Sequence, residues 1–323
     1  MGCQPLSADM TDSEAVRRPS RAGLARLVET VVPGASLLRC TRLKGGMSGG
    51  AFAVSYRQAN GGMGRLVVRI AEDWRGGPHD NAKREARTLS VLSDAGVPVP
   101  ELLLADLEGT CLGAPLLVLS FAGRPLVSPR QHAPWLRGLA EALVEIHSLP
   151  ASYDFSHLEN MPDVRQKIAV LPAQSLRHDA LAREAVRCMS ASIGAIGLAE
   201  PALTHHDYWP ANVLWQDGNV SAIIDWNAAE IGDPRNDVAQ CRVDLAMMHG
   251  LEASDQFLDY YQSAAPRPLA DVWFFDLLRA VKALEGYEKW YLPAYLDVGL
   301  EVTAEVLEER LRGFLRIALA AAS

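Results

Sequence analysis

The stretch from Leu203 to Asp237, LTHHDYWPANVLWQDGNVSAIIDWNAAEIGDPRND, constrains this chain more than any other. Asp207 follows His205 and His206, Asn212 stands five residues later, and Asp225 closes an apolar run thirteen residues after that. Val213-Leu214-Trp215 and Val220 to Ile224 are β-prone, and Gln216-Asp217-Gly218-Asn219 between them offers residues that tolerate the positive φ of a tight turn. Folding the two strands about Gly218 brings Asn212 and Asp225 opposite each other within about a residue of register. Two oxygen donors then lie beside the Asp207 carboxylate.

An amide and a carboxylate can hold Mg²⁺, whose remaining ligands come from water and substrate phosphates. A third group left off the metal is available to orient or deprotonate a hydroxyl. Protein kinases divide the work in this way among a catalytic Asp, an Asn five residues on and a metal-binding Asp. The wording here differs. His205-x-Asp207-Tyr208-Trp209-Pro210-x-Asn212, then Ile224-Asp225-Trp226, Gly232-Asp233-Pro234 and Asp237, resembles the aminoglycoside phosphotransferase family of small-molecule kinases. The resemblance extends over about residues 40 to 300 and is strongest from 203 to 237.

It implies an α+β, bilobal, protein-kinase-like fold, with a small antiparallel-sheet N-lobe and a mostly helical C-lobe. A flexible tail over residues 1–20 would precede a nucleotide-binding N-lobe over 21–122 and a C-lobe over 123–323 carrying the catalytic loop and acceptor-binding helices. The implied reaction moves the γ-phosphoryl group of ATP or GTP to a hydroxyl of a small molecule, with Mg²⁺. Asp207 would be the catalytic base, Asn212 and Asp225 the metal ligands, and Asp237 a brace accepting backbone hydrogen bonds from the catalytic loop. The acceptor stays open between an aminoglycoside, an amino alcohol, a sugar, a macrolide and another metabolite. A nucleotide-binding pseudokinase without turnover is a further alternative. The family usually has Gly where His206 stands, and His206 receives no task.

Upstream, Lys44-Gly45-Gly46-Met47-Ser48-Gly49-Gly50 separates two strand-like segments, Ser36 to Leu43 and Ala51 to Tyr56. Such a glycine turn can lay backbone over phosphates, with Gly46, Ser48 and Gly49 as candidates. Leu66 to Ile70 is an apolar strand interrupted by Arg69, a charge that needs a partner or a ligand. Ala82, Glu85, Leu89 and Leu92 share one face of a helix expected over Asp80 to Asp94, which puts Glu85 in reach of it. The pair would resemble the strand–helix ion pair of kinases, with Arg for Lys, and Arg69 would contact nucleotide phosphates. Ser120 to Gly123 falls where the family has its hinge, so the backbone of Ser120 and Ala122 would meet the purine.

Further on, an apolar helical stripe follows Pro134 and ends at His147, a position favoured for histidine by the helix dipole. Four more helices are expected over Val238–His249, Ser254–Ser263, Ala270–Trp290 and Asp297–Leu319. They interleave acidic residues, among them Asp244, Asp276 and Glu288, with aromatic ones including Trp290, Tyr291 and Tyr295. In relatives such groups meet amine-bearing or ring-shaped acceptors, whereas residue by residue they read as core aromatics and solvated charges.

With 323 residues, 49% of them apolar, the chain is long enough for two cored lobes. Its net charge of −8, with no basic stripe, argues against nucleic acid and anionic membranes as partners; it would attract a cationic ligand but reads first as ordinary solubility charge. Five scattered cysteines without a Cys-x-x-Cys pair suggest free thiols and a cytoplasmic location. No apolar stretch is long enough to span a bilayer. Either a monomer or a homodimer is compatible with these features.

Overall fold

The computed structural model describes residues 19–43, 50–71, 77–160 and 179–322. Helix α1 (Arg21–Val31) leads into a five-stranded antiparallel sheet of β1 (Ser36–Arg42), β2 (Ala51–Arg57), β3 (Met63–Ile70), β4 (Leu102–Asp106) and β5 (Leu116–Ser120), ordered β1-β2-β3-β5-β4. Helix α2 (Pro78–Asp94) connects β3 to β4.

Strand alternation decides what each face of this sheet meets. Leu66 and Val68 of β3, with Leu116 and Val118 of β5, bury against Leu24, Leu27 and Val28 of α1. Val67, Leu117 and Leu119 belong to the opposite face and pack with Ala82, Leu89 and Leu92 of α2. Arg69 is two residues beyond Val67 and so shares the α2 face. Here one residue of strand period fixes the partner of a buried charge.

That second core is shared with the rest of the molecule. It continues through α3 (His132–His147), by way of Leu136, Leu139 and Leu143, to Val213, Ile223 and Trp226. The chain crosses from the sheet at residues 121–123 into β6 (Arg124–Pro125), which pairs with β8 (Val213–Gln216), itself paired with β9 (Asn219–Ile223). Gly123 lies at this crossing with φ +138, and a Cβ there would come within 2.5 Å of Ser221 Oγ and 2.8 Å of the Trp215 carbonyl oxygen. Only glycine fits. Arg65 stacks on the Phe121 ring at 3.9 Å on the other side of the crossing.

The remainder is helical apart from the short pair β7 (Ala202–Thr204) and β10 (Glu230–Gly232). Its helices are α4 (Ala180–Ser192), α5 (Arg235–His249), α6 (Leu251–Ala264), α7 (Val272–Gly286), α8 (Leu292–Asp297) and α9 (Ala304–Ala320). A third core built on Ala239, Val243, Met247, Phe274, Phe275 and Phe314 joins α5, α7 and α9.

Two of the expected helices are redrawn. The one expected over Ala270–Trp290 starts at Val272, passes through a π-helical turn at Tyr287–Tyr291 and continues to Asp297. The one expected from Asp297 begins at Ala304, because Gly299 turns left-handed (φ +87) and Thr303 caps the new helix through its hydroxyl. No helix among the described residues is long and apolar enough to cross a membrane.

Candidate active site

The β8–β9 hairpin places the first three candidates. Val213 pairs with Ile223, and the Ile224 N–H donates to the Asn212 carbonyl oxygen at 2.9 Å, so Asp225 stands one residue past the position opposite Asn212. Asn212 is 4% exposed, and its Nδ2 donates to the Asp207 carbonyl oxygen at 2.8 Å and to Asp207 Oδ2 at 3.0 Å. Both bonds use the amide nitrogen, which directs the amide oxygen away from Asp207. Asp225 adopts a left-handed backbone, φ +69, where the strand ends and a 3₁₀ turn begins. Burial, then the neighbouring charge of Asp225, pushes the Asp207 carboxyl above the usual carboxylate range.

Arg69 closes the site from the sheet. Its Nη1 lies 3.2 Å from Glu85 Oε1 of α2, and its Nη2 forms an ion pair with Asp225 Oδ1. One guanidinium therefore joins the sheet, α2 and the hairpin. Arg84 adds a second tie between α2 and the segment after Asp225, donating to the Asn227 carbonyl oxygen at 3.0 Å.

The candidate catalytic loop is braced by α5. Asp237, in the first turn of α5, accepts the N–H of His205 at 2.6 Å and of His206 at 2.8 Å. His147 reaches the same carboxylate at 3.2 Å through Nε2 and meets the Tyr261 hydroxyl at 2.8 Å through Nδ1. Burial alone would raise the Asp237 pKa, but the His147 hydrogen bond and the nearby histidines hold it down at about 2. His205 links the loop to the hairpin. A carbonyl oxygen only accepts, so His205 Nε2 donates to Ile224 O (2.8 Å), and Nδ1 accepts the Asp207 N–H (3.3 Å).

His206 has φ +71, in the left-handed region where glycine costs least, and its Nε2 stands 3.6 Å from the buried Glu230 carboxylate. Histidine is one of the few side chains that enter this region with any frequency. That backbone state is the reason glycine suits the position.

At the far end of β5, the Ser120 N–H donates to the Glu101 carbonyl oxygen (2.9 Å) and its hydroxyl accepts the Glu101 N–H (2.9 Å). Ser120 ends β5, and Ala122 lies in the crossing segment that follows it. Gly46, Ser48 and Gly49 lie outside the described residues.

Among the described residues no group of three or more His, Cys, Asp or Glu is arranged to hold a metal ion. The Asn212 amide oxygen and the Asp225 carboxylate are hard oxygen donors, and two protein ligands fit Mg²⁺, which takes the rest from water and phosphate. Among the described residues no nitrogen or sulfur set for a softer metal accompanies them.

Helices α5 and α7 supply two residues that the sequence reading passed over, Gln240 and Arg279, and join them to Asp244 and Tyr295. Gln240 Nε2 and the Tyr295 hydroxyl each donate to the buried Asp244 carboxylate at 2.5 Å, and Arg279 Nη1 donates to Gln240 Oε1 at 2.9 Å. Burial pushes the Asp244 pKa up to about 7 despite these donors. Long polar side chains on helices read as solvated, and only their spacing on the inner faces of α5 and α7 signals otherwise. Asp276 is also buried, but Arg242 holds it at 3.1 Å as part of the helical core.

The five-stranded sheet, helix α2 and the braced β8–β9 hairpin together make a kinase-like fold. The chain belongs to the phosphotransferase enzyme family, whose model matches residues 40–272. Solved structures agree on the fold. A protein of Ralstonia eutropha JMP134 assigned as an aminoglycoside phosphotransferase superposes with a TM-score of 0.64 at 15% identity, covering 94% of this chain and 98% of that one. Choline kinase LicA of Streptococcus pneumoniae gives 0.60 at 17% identity, covering 92% and 98%. A thermostable variant of aminoglycoside phosphotransferase APH(4)-Ia, in ternary complex with ADP and hygromycin B, gives 0.59 at 18%, covering 91% and 98%.

Proposed function

We propose that this protein transfers the γ-phosphoryl group of ATP, or of GTP, to a hydroxyl of a small molecule, with Asp207 as the general base. The observation that carries the reading is the Asn212–Asp207 hydrogen bond of 3.0 Å at the hairpin base, with Asp225 one register position away and tied to Arg69. A base, a neutral oxygen donor and a carboxylate then converge where a donor phosphate and an acceptor hydroxyl can meet.

The transfer balances as an in-line displacement. The acceptor oxygen bonds to the γ-phosphorus, the bond from that phosphorus to the β,γ-bridging oxygen breaks, and the nucleoside diphosphate leaves. Asp207 accepts the hydroxyl proton late, and its raised pKa suits a group that must take up a proton and release it. Asn212 and Asp225 would hold Mg²⁺, which when bound supplies charge neutralisation to the phosphate oxygens. Arg69 is placed to exchange part of its contact with Asp225 for phosphate oxygen, its planar fork serving two oxyanions at once. The complex of APH(4)-Ia with ADP supports a nucleotide donor here.

Asp207→Asn keeps the shape of the loop and removes the base. Transfer of labelled γ-phosphate to an acceptor should fall by about a hundredfold or more, the scale of general base catalysis, while calorimetric binding of Mg-nucleotide persists. An active Asp207→Asn protein would refute the assignment.

A further inference from the structure

The guanidinium of Arg279 is only partly used by the protein. Nη1 donates to Gln240 Oε1 at 2.9 Å, whereas Nε and Nη2 are buried without a hydrogen-bond partner among the described residues. These two nitrogens form one edge of the guanidinium, with parallel N–H bonds spaced for the two oxygens of a carboxylate. Leaving both donors unmet in a buried place is costly.

Three other inward-facing arginines are paired with carboxylates. Arg69 has Glu85 and Asp225, Arg235 has Asp233, and Arg242 has Asp276 and Asp255. Arg279 has no ion pair among the described residues. Asp244 is not its partner, because Gln240 stands between the two, donating to Asp244 and accepting from Arg279. The Tyr295 ring of the same network packs on Trp209 with centroids 5.8 Å apart, and Trp209 is two residues from Asp207, so the network reaches the loop that carries the candidate base. The π-helical turn Tyr287–Tyr291 directly follows the Arg279 helix, and such insertions concentrate at functional sites.

We infer that Arg279 receives a carboxylate of the acceptor, so that the substrate class is a small hydroxy acid or hydroxy amino acid whose hydroxyl is thereby turned toward Asp207. The inference rests on the phosphotransferase reading above and narrows it. Gln240 holds the guanidinium through Nη1, and the Nε–Nη2 edge donates to the two carboxylate oxygens. The hydroxyl end then undergoes the transfer already written, its proton passing to Asp207.

The test is a panel of hydroxy acids and hydroxy amino acids, each with its primary amide, together with amino alcohols and hydroxylated phosphate monoesters. Turnover is read as nucleoside diphosphate release in the wild type, Arg279→Met and Arg279→Lys. The free acid should exceed its amide in kcat/KM by about tenfold or more, the scale of a charge-assisted bidentate contact. In Arg279→Met the ratio should drop to within about threefold, the loss lying in KM for the acid, and Arg279→Lys should fall between. Because the ratio is taken within each protein, a general loss of folded enzyme cancels. Amides, amino alcohols or phosphate monoesters used as well as the acids would overturn the carboxylate assignment. So would transfer to water alone, and so would a ratio unchanged in Arg279→Met. Absence of Mg-nucleotide binding and of any nucleotide turnover in the wild type would instead overturn the phosphotransferase reading itself.

Discussion

Arg69 of β3 and Asp225 at the end of the β8–β9 hairpin form an ion pair across 156 residues of sequence. The same guanidinium holds Glu85, and the Arg69, Glu85 and Asp225 side chains are 15%, 7% and 19% exposed. Removing one partner from such a group leaves uncompensated charge in a poorly hydrated place. Arg69→Met should therefore cost about 3 kcal/mol of stability in urea unfolding. If Arg69 meets the nucleotide phosphates as proposed, the same change should also weaken Mg-nucleotide binding by about tenfold or more. Arg69→Lys should recover stability better than affinity, because one ammonium cannot fork between two oxyanions. Calorimetry on both variants decides, and equal nucleotide affinity in all three proteins would remove Arg69 from the donor site.

Asp237 makes a prediction with a defined pH window. Its folded pKa is about 2, against 3.8 for an ordinary aspartate, so the native state favours the carboxylate. The resulting stability is fully present above pH 3.8 and is lost as pH falls through that value toward 2. The shift corresponds to about 2 kcal/mol at neutral pH. Asp237→Asn has one acceptor oxygen for the two N–H groups of His205 and His206, and one buried donor goes unmet. Its melting temperature should lie below that of the wild type at pH 7, with the gap narrowing steadily below pH 4. A gap independent of pH would mean that the carboxylate charge is not what braces the loop.

Asp244 has the opposite sign. Burial raises its pKa from 3.8 to about 7, so the folded state favours the protonated form. Stability from this group is highest at low pH and falls as pH rises from about 4 through 7. Asp244→Asn should lose part of the hydrogen bonding with Tyr295 and Gln240 but none of its remaining stability to ionisation. The difference in melting temperature, variant minus wild type, should thus move in favour of the variant between pH 5 and pH 8. Thermal melts at three pH values are sufficient, and a constant difference would refute the buried titration.

The convergence of Asp207, Asn212 and Asp225 was legible because it is local. A turn sequence and two strands of period 2 fix who faces whom within about a residue, and the observed register has Val213 opposite Ile223. The meeting of Arg69 with Glu85 was legible for a related reason, strand alternation on one side and a helical stripe on the other. The ion pair of Arg69 with Asp225 was not, since it depends on how sheet and hairpin dock, a packing relation with no periodic trace. Helix ends in the last third moved because a π-helical turn inserts into the periodic pattern and Gly299 turns the chain. Gln240 and Arg279 escaped notice because their types are mostly found at surfaces, and inward position is decided by the faces that α5 and α7 turn to each other.

The π-helical turn offers the last test, at Gly286. A Cβ at this position would come within 2.0 Å of the Trp290 ring, so the indole lies directly against the glycine backbone. The turn begins at the next residue and ends at Tyr291, four residues before Tyr295 and its bond to Asp244. Gly286→Ala must displace Trp290, and the displacement passes along the helix to Tyr291 and Tyr295. If that segment shapes the acceptor end of the site, Gly286→Ala should raise KM for an acceptor by about tenfold, the scale of a substrate misplaced by a fraction of an ångström. Binding of Mg-nucleotide should change far less, because its candidate ligands lie on the hairpin and the sheet. Initial rates over a matrix of donor and acceptor concentrations separate the two effects. A rise confined to the KM for nucleotide would show that the π-helical turn serves the donor end instead.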